Sequence, residues 1–413
     1  MIIIHSMTQD ALPRLVADSL AEHLRLMPSV VVTGARQTGK STLVRELQGA
    51  ERRYITLDDA EALGAARTEP EQILAGPQPV TIDEVQREPQ LMLAIKREID
   101  ERRAAGRFLL TGSANLLLMK SVSETLAGRA SYLTLWPMTR TEQLGLARCG
   151  VWDQFFEAPP QDWLEMLGAQ NLPKDDWRAL ARRGGFPPAA IQMRTDRERA
   201  IWFDGYVRTY LERDLQSLSN ISALPDFRRL MQAVSLRVGQ LVNQTALGRD
   251  IGMAQPTVHR YLNLLETSYL LVRLPAYAVN RNKRLIKSPK IYWSDSGIAW
   301  HLSQQPEPQG ALLENLVLQD LLAWRDSGSS SGELFFWRST LGEEVDFVIE
   351  SGGRLLPIEV KSSRRTRLSD TKHLRTFIGE YPERSLPGLL LYDGERAEWI
   401  GPDVLAVPWW MAF

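Results

Sequence analysis

The chain has 413 residues, 44 % hydrophobic and 24 % charged, with a formal net charge of −1, which implies roughly two to four globular domains and excludes a strongly basic nucleic-acid coat, though not a local basic face. Cys149 is the one cysteine, which excludes an internal disulfide and a cysteine-based zinc site. No apolar run reaches the roughly 18–20 residues that span a bilayer, and Met1-Ile2-Ile3-Ile4-His5 lacks the basic start of a signal peptide, so the expectation is a cytoplasmic protein with no membrane contact.

Five short β-rich segments, at 29–33, 54–57, 79–82, 107–111 and 131–135, alternate with helix-like stretches at 41–48, 91–105 and 116–126. Strands alternating with helices predict an α/β fold with a parallel sheet covered on both faces. Unbroken apolar runs such as Phe108-Leu109-Leu110 suit strands buried on both sides. From about 145 the strand signal fades. Residues 161–218 read as helices broken at Gly184-Gly185-Phe186-Pro187-Pro188, and 224–270 as a second helical unit ending in a strand-like 269–274. Breaks at 304–310 and 327–332 lead into a tail, 333–413, of strands and turns.

Between the first strand and the first of these helices lies Gly34-Ala35-Arg36-Gln37-Thr38-Gly39-Lys40-Ser41, followed by Thr42. Strand, glycine-rich loop and helix in that order form a P-loop. Gly34 and Gly39 let backbone N–H groups turn in around a phosphate, and the helix N-terminus adds its positive end. Lys40 is placed to reach the β- and γ-phosphates of ATP, and the Ser41 hydroxyl to ligate Mg²⁺. The third apolar segment ends in Asp83-Glu84, at the end of a parallel strand where α/β sheets bind ligands. Asp83 is the expected Mg²⁺ ligand and Glu84 the group that polarises the attacking water. The fourth segment runs into Gly112-Ser113-Ala114-Asn115, where Ser113, or else Thr111 or Asn115, is the polar group expected beside the γ-phosphate; a plain turn is the alternative.

The order of P-loop strand, Asp83-Glu84 strand, polar-ended strand and Gly128-Arg129 before a fifth strand resembles AAA+ ATPases. More narrowly, Gly-Ala-Arg-Gln-Thr-Gly-Lys-Ser-Thr-Leu, Ile-Asp-Glu-Val-Gln, Leu-Leu-Thr-Gly-Ser and Leu-Ala-Gly-Arg resemble bacterial and archaeal proteins that join an AAA domain to a DUF4143 region. Gly185-Phe186-Pro187, Tyr210-Leu211-Glu212-Arg213-Asp214 and Trp293-Ser294-Asp295-Ser296-Gly297 are similar to the DUF4143 half. The resemblance implies that Arg129 faces a neighbouring protomer as an arginine finger, and hence a homo-oligomer. The alternative is that Arg129 caps its helix or pairs with an acid of its own chain.

Residues 245–252 read as a short helix ending in glycine, and 255–262 start another with Pro256 near its first turn. With the following strand pair they make a winged helix-turn-helix with Thr257, His259, Arg260 and Asn263 facing outward. The stretch 273–290 then carries Arg273, Arg281, Lys283, Arg284, Lys287 and Lys290 and no acid, a candidate contact for the DNA backbone. Docking of a protein partner, with the charges solvated, is the alternative.

In the tail, residues 344–350 read as a strand, 351–354 as a turn and 355–360 as the returning strand. Glu359 and Lys361 are two apart and share a face, and the hairpin brings Asp346 to them. Two carboxylates hold a hard divalent cation, and a lysine beside them can position or deprotonate a water. The pattern resembles the PD-(D/E)xK nuclease core, and Glu314 matches the helical acid such cores often add. The proline expected before Asp346 is absent, its place taken by Glu344-Val345. A retained fold without the chemistry is the alternative. The expected division is an AAA+-like ATPase domain (1–150), a helical lid (151–222), a winged helix (223–303) and a mixed α/β nuclease-like domain (304–413). Two functions follow: an ATP-driven DNA-processing protein, or an ATP-controlled assembly switch with non-catalytic C-terminal modules.

Overall fold

Val30, Val31 and Val32 are β-branched and fully buried, as a central strand covered on both faces requires. The computed structural model describes residues 12–46, 52–112, 125–209, 224–279, 288–328 and 332–413. In it β1 (Ser29–Thr33) pairs in parallel with β4 (Phe108–Thr111) and β5 (Ala130–Thr134), while β3 (Val80–Asp83) and β2 (Arg53–Thr56) extend the sheet beyond β4. The order is β2-β3-β4-β1-β5. All five expected strands are present. Val30 and Val32 pack with Val16 and Leu20 of the helix Val16–Leu26 and with Leu43 and Val44 of the P-loop helix, Lys40–Glu46. Val31 points the other way, to Leu91, Ile95 and Ile99 of the helix Leu91–Glu101. That alternation is the strand period of two, and it leaves only the C-terminal ends of the strands free for a ligand.

Short helices follow: Trp152–Glu157, Trp163–Gly168, Trp177–Arg183 and Asp196–Thr209, with Trp152, Trp163 and Trp177 buried at their starts. The next unit runs helix Leu224–Ser235, β6 (Gln240–Leu241), helices Gln244–Ile251 and Gln255–Thr267, β7 (Leu271–Leu274) and β8 (Lys290–Trp293). Its antiparallel sheet has the order β6-β8-β7. The turn between its last two helices is closed by Gly252 at φ +70°, and Val258, Tyr261, Leu262, Leu264 and Leu265 form the buried stripe.

After helix Gly310–Ser327 come β9 (Glu333–Arg338), β10 (Glu344–Ser351), β11 (Arg354–Lys361), β12 (Gly388–Tyr392), β13 (Glu398–Trp399) and β14 (Val404–Pro408), in the order β13-β14-β12-β11-β10-β9. The β10–β11 hairpin turns on Gly352 and Gly353 at φ +56° and +80°. Two successive positive φ angles are what a two-residue hairpin turn needs, and glycine adopts them without strain. One hydrophobic cluster reaches from Trp152 through Leu262 and Trp293 to Phe413, so the parts after the ATPase sheet share a core. No described helix is long and apolar enough to cross a membrane.

Candidate functional site

Gly34 has φ +141° and a Cβ there would run into the Leu135 carbonyl oxygen; Gly39 has φ +96°. Both positions need glycine. Gln37 also lies in the left-handed region at φ +60°, so the loop stores strain at its tip. Ala35 and Thr38 are buried, Arg36 and Ser41 half-buried, and Gln37 and Thr42 exposed. The loop closes on itself where the Thr38 hydroxyl donates to the Ala35 carbonyl at 3.0 Å. Lys40 is buried, and its Nζ donates to the carbonyls of Gly34 (3.1 Å) and Ala35 (2.7 Å). Burial pushes its ammonium down to about 8, against the opposing pull of Glu84 and Asp83. A buried ammonium resting on two neutral carbonyls fits an anionic phosphate, with the helix N-terminus beside it.

Asp83, buried at the end of β3, accepts hydrogen bonds from the Tyr54 hydroxyl (2.6 Å) and from Thr111. These two hydroxyls fix the carboxylate, which with Ser41 was the expected Mg²⁺ ligand set. Thr111, an alternative for the polar group at the γ-phosphate, is therefore bound to Asp83; Ser113 and Asn115 lie outside the described residues. Glu84 sits at φ +60°, accepts from the Gln86 amide, and has its carboxyl pushed up mainly by burial. Neither Tyr54 nor Arg14 was legible as a site residue. Arg14, buried, donates to the Thr38 carbonyl at 2.7 Å and the Trp136 carbonyl at 2.8 Å, and pairs with Glu142 at 3.0 Å. It straps the P-loop to the segment after β5.

Arg129 forks onto Asp100, Nε to Oδ1 at 2.6 Å and Nη2 to Oδ2 at 3.0 Å. The pair is within one chain, as the alternative to a finger expected. The Arg129 carbonyl accepts from Ser29, at the start of β1, so Arg129 lies at the end of the sheet away from its own Lys40.

The tail brings its acids together around a lysine. Phe347 pairs with Ile358 across the hairpin, so Asp346 and Glu359 meet just beyond that pair. The Lys290 ammonium, buried, lies 2.7 Å from Glu344 Oε1, 3.0 Å from Asp346 Oδ1 and 3.2 Å from Glu314 Oε1. Tyr292 also donates to Glu314, the Val360 N–H to Asp346 Oδ2 at 3.0 Å, and Lys361 to Glu359 Oε1 at 2.6 Å. Burial and the Asp346 charge push the Glu314 and Glu359 carboxyls up. Burial alone would push Lys290 down, but Asp346, Glu314 and Glu344 outweigh it and hold the ammonium charged. The acids expected to hold a metal, Glu314, Asp346 and Glu359, are thus brought together, with the Lys290 ammonium on two of them. An internal cation, the Lys290 ammonium, stands among the acids, and Glu359 Oε2 is buried without a hydrogen-bond partner. A divalent cation needs several free oxygens, and among the described residues no group of three or more His, Cys, Asp or Glu side chains could hold one.

Lys290 was also expected in a DNA-facing basic stretch, and its burial corrects that. Arg273 pairs with Glu266 at 3.3 Å and donates to Asn263 at 2.8 Å. Arg281, Lys283, Arg284 and Lys287 lie outside the described residues. His259 and Arg260 are exposed; Thr257 and Asn263 are half-buried.

Residues 27–144 match the family model described as an AAA domain, 174–309 a domain of unknown function (DUF8612) and 309–411 a domain of unknown function (DUF4143). An uncharacterized protein of Mycobacterium tuberculosis is 31 % identical over 402 residues, which is 95 % of this chain and 82 % of that protein. The chain belongs to this family of AAA-domain proteins with a DUF4143 tail. An uncharacterized protein of Haemophilus influenzae is similar at 21 % identity over 73 % of this chain and 70 % of its own. Among solved structures, the Walker-type ATPase PABY2304 of Pyrococcus abyssi is similar at 15 % identity and a TM-score of 0.43, covering 69 % of this chain and 94 % of that one. Thermotoga maritima RuvB is similar at 18 % identity and 0.29, covering 63 % and 89 %. Gly185-Phe186-Pro187 and Trp293-Ser294-Asp295 fall in the DUF8612 stretch, not in the DUF4143 half to which their resemblance assigned them.

Proposed function

We propose that this AAA-type P-loop protein binds and hydrolyses ATP at the C-terminal end of its parallel sheet, and that its ATP state controls an assembly in which the tail is a non-catalytic module. Lys40 would bind the β- and γ-phosphates, exchanging two carbonyl partners for charged oxygens. Ser41 and Asp83 would hold Mg²⁺, which when bound neutralises phosphate charge. Glu84, raised by burial, accepts the proton of the attacking water. Tyr54 and Thr111 keep Asp83 aimed at the site.

The observation that carries the non-catalytic tail is Lys290, within 3.2 Å of three carboxylates in the place a metal ion would need. Purified protein should hydrolyse ATP and leave supercoiled plasmid intact with Mg²⁺ or Mn²⁺. Nicking that disappears in Asp346→Ala would restore the nuclease reading.

DNA remains the second reading of the partner, favoured by the exposed His259 and Arg260 on a helix that follows a tight glycine turn. Contact would rest on Arg281, Lys283, Arg284 and Lys287. Neutralising the first three together should lower the slope of log affinity against log salt by about 2–3; an unchanged slope would point to a docked protein. A trans-acting Arg129 would have to leave Asp100. Mixing Arg129→Ala with Lys40→Ala protein should restore some hydrolysis if sites are shared between subunits, and none if Arg129 serves its own chain alone.

A further inference from the structure

Asp295 is fully buried, and its carboxylate accepts from the backbone N–H groups of Ile298 (2.9 Å) and Gly185, with Gly297 and Phe186 adding to the set. Gly184, at φ +68°, leaves no room for a side chain, since a Cβ would lie 2.7 Å from Asp295 Oδ1. From the other side Met138 donates its N–H to the Gly185 carbonyl at 2.6 Å, and a Cβ on Gly185 would run into the Met138 carbonyl oxygen. Gln143 donates to the Gly184 carbonyl at 3.0 Å. The turn from Gly184 to Pro187 is therefore gripped from three directions.

What it grips lies next to the phosphate loop. The Pro187 ring lies 3.7 Å from where a Gly39 Cβ would be. Phe186 packs against Tyr206 at a ring separation of 4.9 Å, and the Tyr206 hydroxyl donates to the Arg36 carbonyl at 3.4 Å. The strained part of the P-loop, with Gln37 at φ +60° and Gly39 at φ +96°, is bounded on this side by residues from the 174–309 stretch.

We propose that Pro187 and Tyr206 are positioning residues of the nucleotide site: they hold Arg36–Gly39 in the phosphate-accepting shape, and Asp295 holds the turn that carries Pro187. A loop populated in its competent shape only part of the time binds ligand more weakly by that fraction. The brace therefore acts on ATP affinity and not on the chemical step. Linkage makes the effect mutual, so bound ATP tightens the grip on the 174–309 stretch. The inference rests on the ATPase reading.

The test compares Pro187→Ala and Tyr206→Phe with wild type in ATP titration, steady-state hydrolysis and thermal melting. Tyr206→Phe keeps the ring packing and removes only the hydroxyl. The expected result is a rise in KM and in the ATP dissociation constant of about fivefold, the worth of one ordinary hydrogen bond, with kcat within about twofold and Tm unchanged. The double variant should show a larger rise. A lower Tm with unmoved KM would make the turn merely structural, and KM and Tm both unmoved would equally overturn the proposal. If wild type binds no ATP, the ATPase reading falls first; if it binds and the variants match it, only this inference falls.

Discussion

Lys40 and Lys290 are both lysines buried near carboxylates, and they differ in what touches the ammonium. Lys40 rests on two backbone carbonyls, with Asp83 and Glu84 near enough to pull on it electrostatically, and its pKa falls to about 8. Lys290 lies within 3.2 Å of three carboxylates and is held charged. The first is an under-compensated cation, stabilised further by any anion that enters. The second is over-compensated, so an added divalent cation would have to displace it. On the proposed reading, two clusters of similar composition thus have opposite uses. Local charge balance separates a ligand site from a closed structural cluster more sharply than residue type does.

The comparison is broken most directly by removing each lysine. Lys40→Ala should abolish ATP binding or nearly so, because the phosphates lose their buried cation; isothermal titration giving wild-type affinity would remove Lys40 from the site. Glu84→Gln should bind ATP normally and lower kcat by roughly 10²–10⁴-fold, since only proton acceptance is lost. A single-turnover experiment would separate the two, with trapped ATP expected only in Glu84→Gln.

Lys290→Met should leave nucleotide affinity unchanged but destabilise the fold. Removing one partner of a buried ion cluster costs about 3–5 kcal/mol, because the remaining charges stay buried and face one another. Urea unfolding measures this, and adding Asp346→Asn to the variant should recover part of the loss. A Lys290→Met protein as stable as wild type would mean that the acids do not depend on the lysine, and would reopen the tail to a metal.

The ATP half of this contrast was legible in the sequence, as was the grouping of Glu314, Asp346, Glu359 and Lys361, but the lysine at the centre of the tail cluster was not, for a physical reason. Phosphate binding needs consecutive backbone N–H groups and a helix start, so its residues are contiguous, and the strands leading to them are apolar runs. Lys290 stood among cations in what looked like a solvated run. Only the pairing of β8 with β7 turns it inward to a helix and a hairpin 24 and 56 residues further on. Tyr54 reaches Asp83 across 29 residues, and Tyr206 reaches Arg36 across 170. Spacing carries no signal at such separations, and the same holds for Arg129, whose position was legible but whose partner Asp100 was not.

Asp320 sharpens the comparison with a buried carboxylate that has no direct cationic partner. It sits on the helix Gly310–Ser327, accepts from Trp152 Nε1 at 2.6 Å, and has a second oxygen without a partner. Burial, then the Glu142 charge, push it up to about 7, against the Trp152 hydrogen bond and the Arg140 charge. Its folded pKa is above the unfolded value near 3.9, so between about pH 4 and 7 the folded state holds the proton more tightly. Stability from this group is fully present below that window, falls as pH rises through it, and is flat above about 7. The slope is at most about 1.4 kcal/mol per pH unit. Asp320→Asn keeps the shape without the titration, so the wild-type-minus-variant unfolding free energy should fall by this slope as pH rises from about 4.5 to 6.5. A difference that is constant across that range would mean that Asp320 is ionised in the folded protein. Burial without a cation would then not suffice to keep a carboxyl neutral here, and the contrast between Lys40 and Lys290 would have to rest on contacts alone.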